Sequence, residues 1–187
     1  MILGSHNSWS WLPVSQCRMK PFAFMARCQR VDIRTQYERY GVRCFDLHIR
    51  FDRYGFLHLV HGMFEYDPVT LMSDLSYLNS MGDCYVRVIH DVRTRKQLET
   101  SHKSRFEEYC YNLETAFTYI RFWCGKNLYN WEEDYRFEYD PSCEEKYASV
   151  CRPRLIDDWW PSLYAKTHNR EILERGTDKD ILLIDYV

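Results

Sequence analysis

Ionisable residues interrupt an apolar stretch between Gly41 and Phe51, and their types suit acid–base chemistry. Asp46, His48 and Arg50 alternate there with large apolar residues. Because alternate residues of a β-strand point to the same face, an acid, an imidazole and a guanidinium are predicted side by side. Burying an unpaired charge is costly, so a strand keeps such residues mainly where they take part in chemistry. We therefore predict that a strand over 42–51 carries part of an active site.

Two further apolar runs carry the same kinds of residue at their ends. His61 ends the run over 56–61, and Arg87 and Asp91 share one face of a predicted strand over 85–92. Active sites of α/β proteins lie at the ends of such strands. We expect these residues to face the same cavity as Asp46.

His6 and Asp185 lie close to the two ends of the chain. His6 is in a polar loop after a short predicted strand, and Asp185 is near the end of a closing strand over 180–187. Each also has a purely structural interpretation. His6 can be a turn residue that bonds to the backbone, and Asp185 can cap the final turn. In the same way, Asp46 can be ion-paired to an arginine, and His61 can be a strand-end histidine bonded to a backbone carbonyl. The residues alone leave both interpretations open.

Helical patterns separate the predicted strands, which gives the fold class. Helices are predicted over 32–40, 67–81, 101–117 and 159–175, and a further strand over 118–124. The stretch over 128–154 fits a strand or a helix equally. Alternation of strands and helices indicates an α/β fold with a mainly parallel sheet, most economically a barrel. With 187 residues we expect a single domain over 1–187.

Composition excludes several classes of protein. The net charge is −2 and no basic run exceeds a few residues, so a nucleic-acid partner is not expected. No apolar segment reaches the roughly 18 residues of a membrane span, and the first residues lack the features of a signal peptide. The eight cysteines show neither a CxxC pair nor a zinc spacing. We expect a cytoplasmic monomer with free thiols, while a secreted mature form stays open.

Aromatic residues are concentrated between the first loop and the first predicted helix. Trp9, Trp11, Phe22 and Phe24 are the large members of this group. Such rings either pack in a core or line a lipid interface. Core packing is the prediction.

Short motifs in a fixed order resemble the X-domain of phosphatidylinositol-specific phospholipase C. The motifs are Gly4–Ser8, Arg27–Gln29 with Gln36, Gly41–His48, Leu59–Gly62 and Ile181–Val187. The resemblance is dense up to about Asp91, thin in the middle of the chain, and returns at the C-terminus. It implies a compact barrel of the TIM (β/α) type, trimmed or distorted. A full eight-stranded barrel usually takes about 200 residues or more.

The resemblance also implies roles for individual residues. His6 matches the general base that activates the inositol 2-hydroxyl, and His61 matches the general acid that protonates the departing diacylglycerol oxygen. Asp185 matches the carboxylate that orients the base. Charge on the phosphoryl oxygens must be met by a cation, and His48, Arg50 and Arg87 are the candidates for binding substrate.

Calcium is the one cofactor that the family resemblance suggests. Asn7 and Asp46 match ligands of the calcium-dependent eukaryotic type, and Asp91 corresponds to its last ligand. The next acidic ligand of that type is replaced by His48, which is a poor ligand for a hard cation. The metal-independent bacterial type has an arginine at that position. The sequence leaves metal dependence open.

The predicted activity is cleavage of phosphatidylinositol or a related glycerophosphodiester through a cyclic phosphate. The expected partners are a phospholipid or inositol phosphate substrate and, transiently, a membrane surface. One alternative is an enzyme like sphingomyelinase D or glycerophosphodiester phosphodiesterase, although those usually have Glu-x-Asp where this chain has Asp46 and His48. Another is a lipid-headgroup binding module without turnover.

Overall fold

A computed structural model describes residues 1–91, 102–125, 137–139, 160–176 and 178–187. Eight strands are present in it: β1 Ile2–Ser5, β2 Cys44–Phe51, β3 Leu57–His61, β4 Phe64–Tyr66, β5 Tyr85–His90, β6 Arg121–Gly125, β7 Phe137–Tyr139 and β8 Ile181–Ile184. The helices are α1 Ile33–Tyr40, α2 Leu71–Met81, α3 His102–Ala116 and α4 Pro161–Arg175, together with a 3-10 helix over Cys17–Met25.

The strands form one curled, mostly parallel sheet. Its parallel part has the order β7-β8-β1-β2-β5-β6. Strands β3 and β4 continue from the second half of β2 as an antiparallel meander. The α/β class and the parallel sheet are as predicted. Among the described residues no pairing joins β6 to β7, so the described part of the chain forms a curled sheet and does not show a complete barrel.

The centre of the sheet is held by a close approach of three strands at Gly4. Gly4 of β1 is paired with Cys44 of β2 on one side and with Leu183 of β8 on the other. A Cβ atom at this position would collide with the Leu183 side chain and press on Cys44. Glycine is therefore required here for β1 to bring the residues that follow it against both neighbours.

Strand β2 has two faces of opposite chemistry. Phe45, Leu47 and Ile49 are fully buried in the main apolar core. That core also contains the inward face of α2: Leu71, Leu75 and Leu78. Asp46 and His48, on the other face, are equally buried. The predicted alternation along this strand is confirmed, and the polar face is buried, so hydrogen-bonded or charged partners must compensate its burial.

Helix α1 begins and ends where its capping residues predict. The Asp32 carboxylate accepts a hydrogen bond from the Thr35 backbone N–H at 2.7 Å, which is an N-cap interaction. Gly41 follows with φ of 71°, the left-handed conformation typical of the residue after a helix.

Other elements differ from the sequence prediction in extent. The predicted helix over 67–81 begins only at Leu71, because β4 and a turn precede it. The ambiguous stretch over 128–154 contains β7, and its other residues lie outside the described part of the chain. No helix in the described ranges has the length and apolar character to cross a bilayer.

Candidate active site

Three imidazole rings meet at the carboxyl ends of the parallel strands. His6 follows β1, His48 lies on β2 and His61 ends β3. The ring centroids are 5.4 Å apart for His6 and His61, 5.7 Å for His6 and His48, and 5.9 Å for His48 and His61. The rings are close to perpendicular to one another. His6 and His61, which are 55 positions apart in the sequence, thus lie next to each other in the structure.

His6 is held by a carboxylate from the neighbouring strand. Its Nδ1 lies 2.8 Å from Oδ1 of Asp185, the residue after β8. The His6 backbone N–H also donates to the Ile184 carbonyl at 2.9 Å, so the pairing of β1 with β8 sets the distance between the two side chains. With Nδ1–H donated to Asp185, the neutral ring has its lone pair on Nε2, which is 3.9 Å from Asp46 Oδ2.

His48 lies between two buried carboxylates. Its Nε2 is 2.8 Å from Asp46 Oδ2 and its Nδ1 is 3.4 Å from Asp91 Oδ2. Burial disfavours the charged imidazolium, but Asp46 and then Asp91 outweigh it and raise the pKa of His48 to about 9. At neutral pH His48 is therefore a buried cation.

The two carboxylates are held in their charged forms by the same contacts. Burial opposes ionisation of Asp46, yet His48, Arg87 and His6 hold its pKa well below its usual range. For Asp91, burial is outweighed by His48 and by the Gly62 backbone N–H, and its pKa is also lowered. The Gly62 N–H donates to Asp91 Oδ2 at 2.8 Å.

The two candidate arginines have different positions. Arg87 is buried, and its Nη1 lies 3.6 Å from Asp46 Oδ1. Arg50 is bonded to the Gly62 carbonyl at 3.0 Å and to Glu65 at 3.1 Å. Arg87 thus shares a carboxylate with His48, whereas Arg50 pairs with Glu65 at the β4 side of the cavity.

His61 is the most accessible of the three histidines, and its environment disfavours a positive charge. Its Nδ1 lies 2.9 Å from the Ala26 carbonyl, which can only accept, so the neutral ring has its lone pair on Nε2. Burial, followed by repulsion from His6 and His48, lowers the pKa of His61 to about 4. His48 and His61 therefore differ in charge at neutral pH although they are neighbours.

The carboxylates do not fit calcium as they stand. A calcium site needs six to eight oxygen ligands, but His48 already lies between Asp46 and Asp91 and donates to both. Asp46 Oδ2 also accepts from the Asn7 backbone N–H at 3.0 Å. Positively polarised groups therefore occupy the positions around these oxygens. The Asn7 side-chain Nδ2, a donor, is buried and has no hydrogen-bond partner within the described part of the chain.

Two residues support the site although the sequence analysis gave them no role. Gln29 is fully buried, and its Nε2 donates to the His6 carbonyl at 3.1 Å and to the Ile184 carbonyl at 3.0 Å. Cys28 Sγ lies 3.7 Å from His61 Nδ1. Both belong to a motif that carried the family resemblance, but nothing in their residue types indicates which backbone or ring atom they contact.

Comparison with known proteins shows the fold. No protein-family model and no curated protein sequence matches the chain. Solved structures of phosphatidylinositol-specific phospholipase C from Staphylococcus aureus do match. One mutant of that enzyme is 17% identical to this chain, with a TM-score of 0.63. The match covers 99% of this chain and 85% of the mutant. A double mutant has 16% identity and a TM-score of 0.60, covering 99% and 84%. A structure described for modulation of membrane binding has 16% identity and a TM-score of 0.58, covering 99% and 85%. The chain shares the fold of that enzyme.

Proposed function

We propose that this protein is a phosphodiesterase that cleaves phosphatidylinositol or a related glycerophosphodiester by internal attack. The observation that supports it best is the convergence of His6 and His61, with ring centroids 5.4 Å apart and a separate hydrogen-bond partner for each ring. Two neighbouring imidazoles, each fixed by its own hydrogen bond, suit a reaction that removes one proton and delivers another. The shared fold with the Staphylococcus aureus enzyme is consistent with this chemistry.

His6 acts as the general base in this proposal. Asp185 fixes the ring so that Nε2 carries the lone pair, and it stabilises the imidazolium that forms. Nε2 removes the proton from the inositol 2-hydroxyl, and that oxygen attacks phosphorus. A five-membered cyclic phosphate forms as the bond to the diacylglycerol oxygen breaks.

His61 acts as the general acid and delivers a proton from Nε2 to the departing oxygen. Its lowered pKa, about 4, makes the protonated form a strong acid but a minor species in the free enzyme at neutral pH. A bound phosphodiester is an anion, and a nearby anion favours the imidazolium. Substrate binding and protonation of His61 are therefore coupled.

The negative charge of the phosphate is met by His48 and Arg87. His48 is a cation at neutral pH because its pKa is raised to about 9, and Arg87 is buried beside the same carboxylate, Asp46. The Asn7 amide is a further buried donor. Donors already oriented in a buried site stabilise developing charge without reorganising. No metal ion takes part in this sequence of steps.

An apolar patch beside the site suits contact with a membrane. Phe22 and Phe24 are 51% and 39% exposed on the 3-10 helix, which buries none of its residues. The centroid of the Phe24 ring lies 4.6 Å from the centroid of the Trp160 ring, and Trp160 is 39% exposed. This helix ends at Met25, and the carbonyl of the next residue, Ala26, accepts a hydrogen bond from His61 Nδ1, so the patch adjoins the cavity. Phe22, Phe24 and Trp160 are together named the aromatic rim, and we include its insertion among lipid headgroups in the proposal.

Product analysis tests the proposed reaction. Phosphatidylinositol vesicles are incubated with the parent protein, with His6→Ala and with His168→Ala, and the phosphorus products are identified by NMR, with and without chelator. We expect a cyclic inositol phosphate from the parent and from His168→Ala, not diminished by chelator, and none from His6→Ala. His168 is the matched control because it lies on α4 and bonds to the Tyr164 carbonyl.

Other products would identify the alternatives. A phosphate monoester or a free alcohol formed without a cyclic product would indicate the sphingomyelinase D or glycerophosphodiester phosphodiesterase type. Vesicle binding without any release, equal for the parent and His6→Ala, would indicate a lipid-binding module. Either result contradicts the proposed function.

A further inference from the structure

A buried thiol lies beside the two histidines of the proposed acid–base pair. His6, Cys28 and His61 each offer a ligand atom, and these atoms all lie within 4.8 Å of one another. Cys28 is fully buried. The proposed phosphodiester cleavage uses both imidazoles but has no step for a thiol. Two imidazole nitrogens and one sulfur are the donors preferred by zinc and similar cations, not by calcium or magnesium.

The spacing of these donors fits a tetrahedral metal. Zinc–sulfur and zinc–nitrogen bonds of about 2.3 and 2.0–2.1 Å place the two ligand atoms about 3.6 Å apart at a tetrahedral angle. Cys28 Sγ and His61 Nδ1 are 3.7 Å apart. The third ligand comes from His6, which has a ring nitrogen within 4.8 Å of a ligand atom of Cys28 and of a ligand atom of His61.

The surroundings of the three ligands also suit a metal. His6 donates Nδ1–H to Asp185 at 2.8 Å, which leaves Nε2 as the ligand atom and gives the carboxylate–histidine pair common at zinc sites. If His61 Nδ1 turns from the Ala26 carbonyl to a metal, that carbonyl keeps a hydrogen bond from the Tyr66 hydroxyl at 2.9 Å. The Ala26 carbonyl therefore keeps a hydrogen-bond donor when His61 binds the metal.

A second group of donors, His6, Asp46 and His48, is less suited. Both nitrogens of His48 face carboxylates, at 2.8 and 3.4 Å, so a metal there would have to displace an existing buried ion pair. The thiol-containing group requires no such loss.

We propose that His6, Cys28 and His61 form a binding site for a thiophilic divalent cation such as Zn²⁺, with the fourth position open to water. The Cys28 thiol releases its proton to solvent as the metal–sulfur bond forms. Both imidazoles then act as ligands, so the bound metal inhibits acid–base catalysis. The binding itself is independent of the proposed function, whereas the inhibition rests on it.

Cobalt titration tests the site without relying on activity. Reduced, metal-free protein is titrated with Co²⁺, and the thiolate-to-cobalt charge-transfer band is followed and then displaced by Zn²⁺. We expect one equivalent to bind to the parent and to Cys17→Ser, in which an exposed thiol is removed. Cys28→Ser should lose the band, and His61→Gln should bind at least tenfold more weakly, both with parent-like circular dichroism.

Two results would overturn the site: a charge-transfer band in Cys28→Ser equal to that of the parent, or loss of the band in Cys17→Ser. His61→Gln decides the question if Cys28→Ser does not fold. Inhibition is measured separately, as the ratio of rates with and without Zn²⁺ within each variant. Cobalt binding in a protein without phosphodiesterase activity would disprove the proposed function and leave the metal site standing.

Discussion

His48 and His61 have the same intrinsic pKa, and their surroundings give them different protonation states. His48 has a carboxylate at each nitrogen and holds a proton well above neutral pH, with a pKa of about 9. His61 has a backbone carbonyl at one nitrogen and two imidazole neighbours, and its pKa is about 4. His6 Nδ1 is bonded to Asp185, and its Nε2 lies 3.9 Å from Asp46 Oδ2. The difference between the pKa values of His48 and His61 lets one site hold a fixed cation beside a neutral imidazole that can be protonated.

The charge of His48 should set the pH range of the reaction. A general acid works in its protonated form, so kcat/KM falls as pH rises above the pKa of His61 in the free enzyme. His48 lowers that pKa by repulsion. In His48→Gln the alkaline limb of kcat/KM should therefore move to higher pH, while the maximum rate falls because a cation near the phosphate is lost. The pH profile of both proteins on a soluble inositol phosphodiester measures this.

His58→Gln is the control for that profile. His58 is half-buried and pairs with Asp52 and Glu65, so its removal should leave the limb in place. An alkaline limb that stays fixed in His48→Gln, or moves equally in both variants, would contradict the assigned charge of His48.

Strand pairing brings the residues of the candidate active site together. His6 and Asp185 are adjacent because β1 and β8 pair in parallel register from Ile2 with Ile181 to Ser5 with Ile184. Asp46 and Arg87 are adjacent because they are register partners on β2 and β5. The fully buried amide of Gln29 then ties the ends of β1 and β8 together.

Replacing Gln29 should reduce kcat by more than the accompanying loss of unfolding free energy explains. In Gln29→Leu the His6 and Ile184 carbonyls lose their shared donor, so the His6–Asp185 pair is less well fixed. Small displacements of catalytic groups cost on the order of 10-fold to 100-fold in rate. We expect a loss of that size in kcat, with KM little changed, measured well below the melting temperature.

Gln36→Leu is the matched control for Gln29. Gln36 is equally buried and also donates to two backbone carbonyls, those of Ser8 and Val31, but not to the ends of the paired strands. Both variants should lose similar unfolding free energy in urea. Equal losses of kcat in the two would show that Gln29 acts only through stability.

The sequence predicted correctly those elements that are set by neighbouring residues, through capping or through apolar alternation. Asp32 and Gly41 bound α1 as their residue types indicate, and the alternation along β2 gives its two faces. Strand β4 is three residues long and is fixed by pairing with β3, so no periodicity could indicate it. The contacts of Cys28 and Gln29 likewise depend on where a loop crosses the sheet.

At the scale of the whole molecule, the buried ionisable residues of the described ranges lie toward the carboxyl ends of the parallel strands, next to the aromatic rim. The aromatic rim adjoins the cavity through Ala26. The prediction of core packing for the early aromatic residues holds for Trp9, which is buried, and is wrong for Phe22 and Phe24, which are exposed. Burial of a ring depends on the path of the 3-10 helix, and composition does not determine that path.

The aromatic rim should control affinity for vesicles and not the chemical step. Burying a phenylalanine ring stabilises by about 1.5–3 kcal/mol, so Phe22→Ser with Phe24→Ser should weaken vesicle binding by about tenfold or more. The rate on a soluble substrate should stay near that of the parent. Vesicle sedimentation and a soluble-substrate assay measure the two effects.

Tyr119→Ser is the control for the rim. Tyr119 is 68% exposed and lies before the start of β6, at the opposite end of the parallel strands. Unchanged vesicle affinity in the double variant, or an equal loss in Tyr119→Ser, would contradict membrane contact through the rim.

Leaving-group dependence tests most directly whether His6 and His61 are base and acid. The kcat/KM values of the parent, His6→Ala and His61→Ala are compared on phosphatidylinositol and on an inositol phosphate ester of nitrophenol, which leaves without needing a proton. The account predicts that His6→Ala loses activity on both substrates, whereas His61→Ala loses it on the lipid and recovers most of it on the nitrophenyl ester. Equal losses of His61→Ala on the two substrates, or parent-like activity of either variant on the lipid, would contradict it.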